Sequence, residues 1–212
     1  MDFHDGLLII LGGELTSIEP AELKGVSSVI AVDKGADHAF SLGLLPDVIV
    51  GDLDSLSAEV KKYYKQRGIK TISYPPQKDF TDEEAALWEA KKRGAKKIII
   101  LAAFGGREDH HLMNIFCAAR YSDDFDEIIF PGEGFFAVIC PRKYDIHSYQ
   151  GKNVGLIALS PKVLGISTKG LFYPWRGEDL SFGETRGISN ILLEKEGMIS
   201  YESGKLLLIQ SF

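Results

Sequence analysis

Short, unbroken apolar runs recur through the first half of this 212-residue chain, and glycine or aspartate follows each one closely. Leu7–Leu11 runs into Gly12-Gly13, Ser28–Val32 into Asp33, Val48–Val50 into Gly51-Asp52, and Lys97–Leu101 toward Gly105-Gly106-Arg107. Four or five apolar residues without alternation are what a strand buried on both faces looks like. Helix-like stretches lie between them. Ala36–Leu42 stops near Gly43, and Ser57 caps a helix through Val60, Tyr63 and Tyr64 that Gly68 ends. Thr81 and Glu84 have capping-box spacing and open a helix that reaches Gly94. Another helix is expected over 109–119, with Leu112, Ile115, Phe116 and Ala119 on its buried face. A short helix over 20–24 and strands over 69–73 and 128–130 complete the pattern.

Strands alternating with helices imply an α/β fold: a mostly parallel, Rossmann-like sheet with helices on both faces. This domain is expected over residues 1–132. From residue 133 to 212 the texture changes to short strands punctuated by Gly and Pro, which reads as a small all-β sandwich domain. Strands are expected over 137–140, 144–149, 154–158, 163–168, 191–195, 198–201 and 206–209, with hairpin turns at Glu196-Gly197 and Ser203-Gly204.

At 45% apolar, the chain can bury a sizeable core, and a net charge of −6 speaks against nucleic acid or an anionic membrane as main partner. Cys117 and Cys140 lack metal-ligand spacing and are expected to be reduced core residues. No run is long enough to span a bilayer and the N-terminus lacks a signal-peptide pattern, so a soluble, cytoplasmic protein is expected.

In open parallel sheets, functional groups collect beyond the carboxyl ends of the strands. Asp33, Asp52, Asp54, Asp79 and Arg107 all fall just after predicted strands. Asp52 and Asp54 are two apart and share a side if their loop is extended. Paired carboxylates suit Mg²⁺, which takes one or two of them together with substrate phosphates. Turn formation or helix capping is the plainer role for either acid. Asp82 can complement a helix dipole, whereas Asp79 precedes the cap and follows two prolines. Gly105-Gly106-Arg107 lets backbone approach a phosphate, with Arg107 able to hold two of its oxygens. His110 is open to three roles: ligand, phosphate contact or ordinary helix N-terminal residue. Its neighbour His111 reads as a surface residue. Trp175 reads as core and Gly187-Ile188-Ser189-Asn190 as a turn.

Taken as a set, four blocks resemble the thiamine pyrophosphokinase family. They are Val32–Ala36, Pro46–Ser55, Asp79-Phe80-Thr81-Asp82 and Gly105–Asn114, and Tyr173-Pro174 with Gly187–Asn190 correspond to the family's thiamine-binding domain. The resemblance implies an α/β domain followed by a β-sandwich, working as a homodimer with sites formed between subunits. It implies transfer of pyrophosphate from the co-substrate ATP to the hydroxyethyl oxygen of thiamine, giving thiamine diphosphate and AMP. By the same resemblance Asp52, Asp54 and Asp79 handle Mg²⁺ and phosphate, and with Arg107 form the catalytic group. Asp33, Lys34, Thr81, Asp82, Arg107, Asp109, His110 and Asn114 fall in the nucleotide site, while Ser189 and Asn190 match the thiamine pocket. Two positions depart from the family pattern: Lys34 stands where the family has glycine, and Ile191-Leu192-Leu193 replaces the segment carrying its stacking tryptophan.

The expected mechanism is attack at the β-phosphorus, with Mg²⁺ and Arg107 neutralising charge and Asp79 or Asp54 accepting the hydroxyl proton. The rival readings are a pyrophosphokinase for another heterocyclic alcohol such as a pterin, a non-catalytic nucleotide- or thiamine-binding module, and a metal-dependent hydrolase.

Overall fold

A computed structural model describes residues 3–19, 21–52, 56–75, 77–147 and 152–211. The chain divides into two compact units, residues 1–126 and 127–212.

The first unit carries strands β1 (Leu7–Ile10), β2 (Ser28–Val32), β3 (Val48–Val50), β4 (Lys70–Ile72) and β5 (Lys97–Leu101). Its helices are α1 (Gly35–Ser41), α2 (Ala58–Gln66), α3 (Asp82–Lys92) and α4 (Glu108–Tyr121). The strands are parallel and ordered β5-β1-β2-β3-β4. Order therefore reverses at β1, with β5 on one side and β2 on the other, which makes a crevice beyond the carboxyl ends of those strands. Every residue of β1 is at most 1% exposed. Burying side chains of that size contributes about 1.5–3 kcal/mol each, so the apolar runs hold this sheet together. Helices α1 and α2 share a cluster of Ala31, Ala36, Ile49, Leu56, Val60 and Tyr64, closed by a hydrogen bond from the Tyr64 hydroxyl to the Ala36 carbonyl at 2.9 Å. Helices α3 and α4 are joined through Tyr121, whose hydroxyl donates to Glu84 and whose ring meets Trp88 edge-on.

The second unit contains β6 (Glu127–Gly132), β7 (Phe135–Ile139), β8 (Lys143–His147), β9 (Asn153–Ala158), β10 (Lys162–Lys169), β11 (Arg176–Ser181), β12 (Asn190–Ile191), β13 (Glu196–Ser200) and β14 (Leu206–Ser211). These strands form antiparallel arrays ordered β12-β9-β14-β7-β6 and β11-β10-β13-β8. Trp175 is buried, as its apolar surface predicts, and its backbone N–H donates to Thr168 Oγ1 at 3.0 Å.

Several local expectations need correcting. Residues 21–25 form turns rather than a helix. Glu196-Gly197 lies inside β13, opposite His147 and Ile146. A Cβ on Gly197 would meet Leu192 Cδ1 at 2.6 Å and the Lys169 carbonyl at 2.9 Å, so this glycine permits close packing instead of a turn. Ser203-Gly204 connects strands of different arrays and is no hairpin. Strand β11 escaped sequence reading because its composition, Arg-Gly-Glu-Asp-Leu-Ser, is polar and only Leu180 is buried. Of the face expected for helix α4, Ala119 is buried and Ile115 half-buried, but the helix is turned enough to leave Leu112 and Phe116 exposed, together with Met113. His111, Asn114, Ile115 and Ala118 form the less exposed stripe; His111 packs edge-on against Phe104, and Asn114 Nδ2 donates to the Ala103 carbonyl at 2.7 Å. Those two anchors fix the helix's rotation.

Helix α1 begins where it does because Gly35 has no side chain: a Cβ there would sit 1.9 Å from the Ile10 carbonyl oxygen. Replacement forces α1 away from β1, a strain typical of overpacked cores. Gly35→Ala should lower stability by roughly 1–3 kcal/mol in urea unfolding; an unchanged midpoint would contradict this packing.

Candidate active site

The reversal of strand order in the first unit is occupied by a cleft of about 290 Å³. Its walls come from four places: Leu11, Gly12 and Gly13 after β1; Val32 and Asp33 at the end of β2; Lys78 and Phe80-Thr81-Asp82-Glu83 leading into α3; and Gly105, Gly106, Arg107, His110 and Asn114 from the β5–α4 turn and α4.

Each wall has a local cause. Gly13 lies flush with the turn after β5, where a Cβ would meet the Phe104 and Ala102 carbonyl oxygens at 2.4 and 2.5 Å. Gly105 and Gly106 both adopt left-handed backbone (φ 77° and 76°), which glycine reaches without a Cβ penalty. Thr81 caps α3, its Oγ1 accepting from the Glu84 N–H at 3.2 Å. The reciprocal arm of the expected capping box is replaced, since Glu84 is engaged by Tyr121 and lies 3.6 Å from Arg120.

Asp33 is the most constrained acid. Its backbone is left-handed (φ 46°), a conformation Asp tolerates better than most residues. Its N–H donates to the Val50 carbonyl at 2.9 Å, and Val32 pairs with Val50, so Asp33 lies beside Gly51 and Asp52. A Cβ on Gly51 would fall 1.9 Å from Asp33 Oδ1. Burial, then the negative charges of Asp82 and Asp52, push the Asp33 carboxyl up to about 6, opposed by Lys78 and by a hydrogen bond from the Asp52 backbone.

Lys78, which sequence reading passed over, is the cleft's half-hidden cation. Its side chain is 15% exposed, it is paired with Asp82, and its ammonium lies 5.4 and 5.5 Å from the ring centres of Tyr74 and Phe80. No periodicity marks it, since a lone lysine after two prolines reads as an ordinary loop residue. Arg107, at the N-cap of α4, is exposed and forked onto Asp109, with Nε 3.1 Å from Oδ1. That contact holds Asp109 below the usual carboxylate range and raises Arg107. A pair this exposed is easily exchanged for a phosphate.

Of the expected nucleotide-site residues, the cleft thus includes Asp33, Thr81, Asp82, Arg107, His110 and Asn114. Lys34 is the exposed N-cap residue of α1, and a Cβ on Gly12 would lie 3.3 Å from its Cβ. Asp52, Asp79 and Asp109 are exposed and do not line the cleft. Asp54 lies outside the described residues. Among the described residues no group of three or more His, Cys, Asp or Glu is placed to hold a metal ion. Asp33 and Asp52 nevertheless stand at the ends of adjacent strands, two carboxylates of the kind that could serve a hard cation with oxygen ligands.

In the second unit Ser189 and Asn190 border a cavity of about 530 Å³, together with Asn153, Val154, Ile188 and Ile191 among others. Ser189 is left-handed (φ 61°). The Asn190 amide is occupied by backbone: Oδ1 accepts from the N–H groups of Tyr173 and Ile191 at 3.0 and 2.9 Å, and Nδ2 donates to the Tyr173 carbonyl at 2.7 Å. Asn190 therefore shapes the cavity wall by tying the 173 segment to β12.

The family described as thiamin pyrophosphokinase, catalytic domain, matches residues 20–130, and the thiamin pyrophosphokinase vitamin B1 binding domain matches residues 139–206. A thiamine pyrophosphokinase of Bacillus subtilis is 28% identical over 184 residues, spanning 86% of each protein. Thiamine pyrophosphokinase 2 of Arabidopsis thaliana is 30% identical over 174 residues, which cover 77% of this chain but 64% of that longer protein. The solved Bacillus subtilis thiamine pyrophosphokinase superposes with a TM-score of 0.87 at 26% identity, covering 97% of this chain and 98% of that one. The Geobacillus thermodenitrificans structure gives 0.84 at 29% identity, covering 97% of each. With more than half of the sequence matched and both units accounted for, the chain belongs to the thiamin pyrophosphokinase family.

Proposed function

We propose that this protein is a thiamine pyrophosphokinase, moving the β,γ-pyrophosphoryl group of ATP onto the hydroxyethyl oxygen of thiamine and releasing AMP. The observation that carries this reading is the convergence, in one cleft at the switch point, of a Gly-Gly-Arg turn, Lys78 and the acids Asp33 and Asp82. Such transfers depend on positioning and electrostatics more than on covalent help from the protein, and these groups supply both. The Gly105-Gly106 backbone approaches the polyphosphate, Arg107 releases Asp109 to fork onto phosphate oxygens, and Lys78 balances the transferred charge. Lys34, at the mouth of the first acidic turn, adds a further cation. His110 and Asn114 border the nucleotide from α4.

In this reading Asp52, Asp54 and Asp79 would hold Mg²⁺, which would offset charge on the triphosphate. Asp33 can exchange a proton just below neutral pH, because burial lifts its carboxyl to about 6. Thiamine is assigned to the cavity bordered by Ser189 and Asn190, with the apolar Ile188 and Ile191 in place of a stacking tryptophan. The enzyme works as a homodimer in the cytoplasm. The exposed Leu112, Met113 and Phe116 of α4, and Ile188, Ile191 and Leu193 of the second unit, are apolar surface that a second copy would cover. Among the described residues no helix is long and apolar enough to cross a membrane.

Incubation with ATP, thiamine and Mg²⁺ should give AMP and thiamine diphosphate in equal amounts, with little product from a pterin alcohol or after chelation. Asp52→Asn should cut turnover roughly a hundredfold or more. Near-normal turnover in that variant, or ATP cleavage independent of thiamine, would contradict the assignment. Asp33 gives a pH test. Its folded value near 6 lies above the ordinary 3.8, so its contribution to stability is fully present below 3.8 and lost as pH rises through 6. Without ligand, Asp33→Asn should therefore gain stability relative to the native protein between pH 4 and pH 7.5, by about 1 kcal/mol after allowance for solvent screening. Equal differences at the two pH values would refute that environment. Sedimentation should show a dimer that Phe116→Glu weakens; a monomer at micromolar concentration would oppose the dimer.

A further inference from the structure

Glu83 is the acid that the proposed chemistry leaves unused. It follows Asp82 in the first turn of α3, where acids ordinarily stay exposed and complement the helix dipole. Glu83 instead is 5% exposed and lines the cleft, and its Oε1 is buried with no hydrogen-bond partner. Buried polar atoms are rarely left unpaired, and one facing a ligand cleft is explained when the ligand supplies the partner. Burial, and then the neighbouring Glu84 carboxylate, push the Glu83 carboxyl well above its usual range, while burial, and then Glu83, raise the nearby Cys117 thiol.

A carboxyl in that setting is poorly matched to phosphate, which the cations and the glycine turn serve. A neutral carboxyl offers one donor and one acceptor side by side. Adenine shows the complementary pair along one edge, an N7 acceptor beside an N6 amino donor, where guanine shows two acceptors. Phe80, on the same cleft wall, provides an aromatic surface for the base.

We propose that Glu83 reads the adenine edge of the bound nucleotide and sets the preference for ATP over GTP. This rests on the nucleotide reading of the cleft. The test is calorimetric titration of the full-length protein, Glu83→Met and Glu83→Gln with ATP, GTP and inorganic tripolyphosphate, each with Mg²⁺. Glu83→Met keeps the volume and removes both polar atoms; Glu83→Gln keeps a donor and an acceptor. Glu83→Met should weaken ATP binding about tenfold or more, erase the preference over GTP and leave tripolyphosphate affinity unchanged. It should also unfold at a higher temperature without ligand, because the unpaired oxygen is gone. Glu83→Gln should hold ATP within about threefold of the native protein.

Unchanged ATP affinity in Glu83→Met, equal weakening of tripolyphosphate, or equal loss in Glu83→Gln would overturn the inference. Native protein that binds neither ATP nor tripolyphosphate would instead overturn the nucleotide reading, and this inference with it.

Discussion

In-register parallel pairing of β1 with β2 and β5 is the constraint on which the rest of this structure depends. Leu7 faces Ser28 on one side and Ile98 on the other, so the three strands finish on one edge of the sheet. The turns after them have no choice but to meet. Gly13 closes against the Ala102 and Phe104 carbonyls, with its own N–H donating to Ala102 at 3.0 Å, and Gly35 lets α1 start against β1. Asp33, Arg107, His110 and Asn114 take their positions from that edge, whereas Lys78, Thr81 and Asp82 come from the segment leading from β4 into α3. A shift of one residue in β2 would turn its apolar set to the opposite faces and carry Asp33 away from Gly51.

Electrostatic crowding follows from the same geometry. Burial, and then the charges of Asp82 and Asp52, disfavour ionisation of Asp33, and Lys78 offsets this only in part. An arrangement of that kind is costly in the free protein and favourable once a cation and a polyphosphate arrive. Stability is given up at the site and recovered on binding, a common relation between active sites and their scaffolds. Ion pairs hold Arg107 to Asp109 and Lys78 to Asp82, and in the proposed reading phosphate would replace those carboxylates.

Much of this was legible in the residues. The continuous apolar runs announced buried parallel strands, and their positions agree with β1, β2, β3 and β5 to within about a residue. Of the residues that follow those runs, Gly12-Gly13, Asp33 and Gly105-Gly106-Arg107 line the cleft. What escaped was decided by tertiary contacts that leave no periodic trace. Helix α4 turned because Asn114 found a backbone carbonyl and His111 found Phe104, against the apparent preference of Leu112 and Phe116. Strand β11 exists because β10 pairs with it, not because its sequence asks for a strand. Lys78 and Glu83 drew no notice in the sequence, since a lysine in a loop and an acid in the first turn of a helix are both ordinary. Only burial separates each from its ordinary role. The Asn190 amide, placed in the thiamine pocket by resemblance, lines the cavity while bonding the Tyr173 backbone, a contact with no trace in the sequence.

The most direct examination of the central claim is a crystal structure with α,β-methylene-ATP, whose bridging carbon blocks cleavage at the bond to be broken. The triphosphate should lie against the Gly105-Gly106-Arg107 turn, within hydrogen-bond reach of Arg107 and Lys78 and facing Asp33. A nucleotide seated elsewhere on the chain, with that turn and those strand ends untouched, would contradict the account.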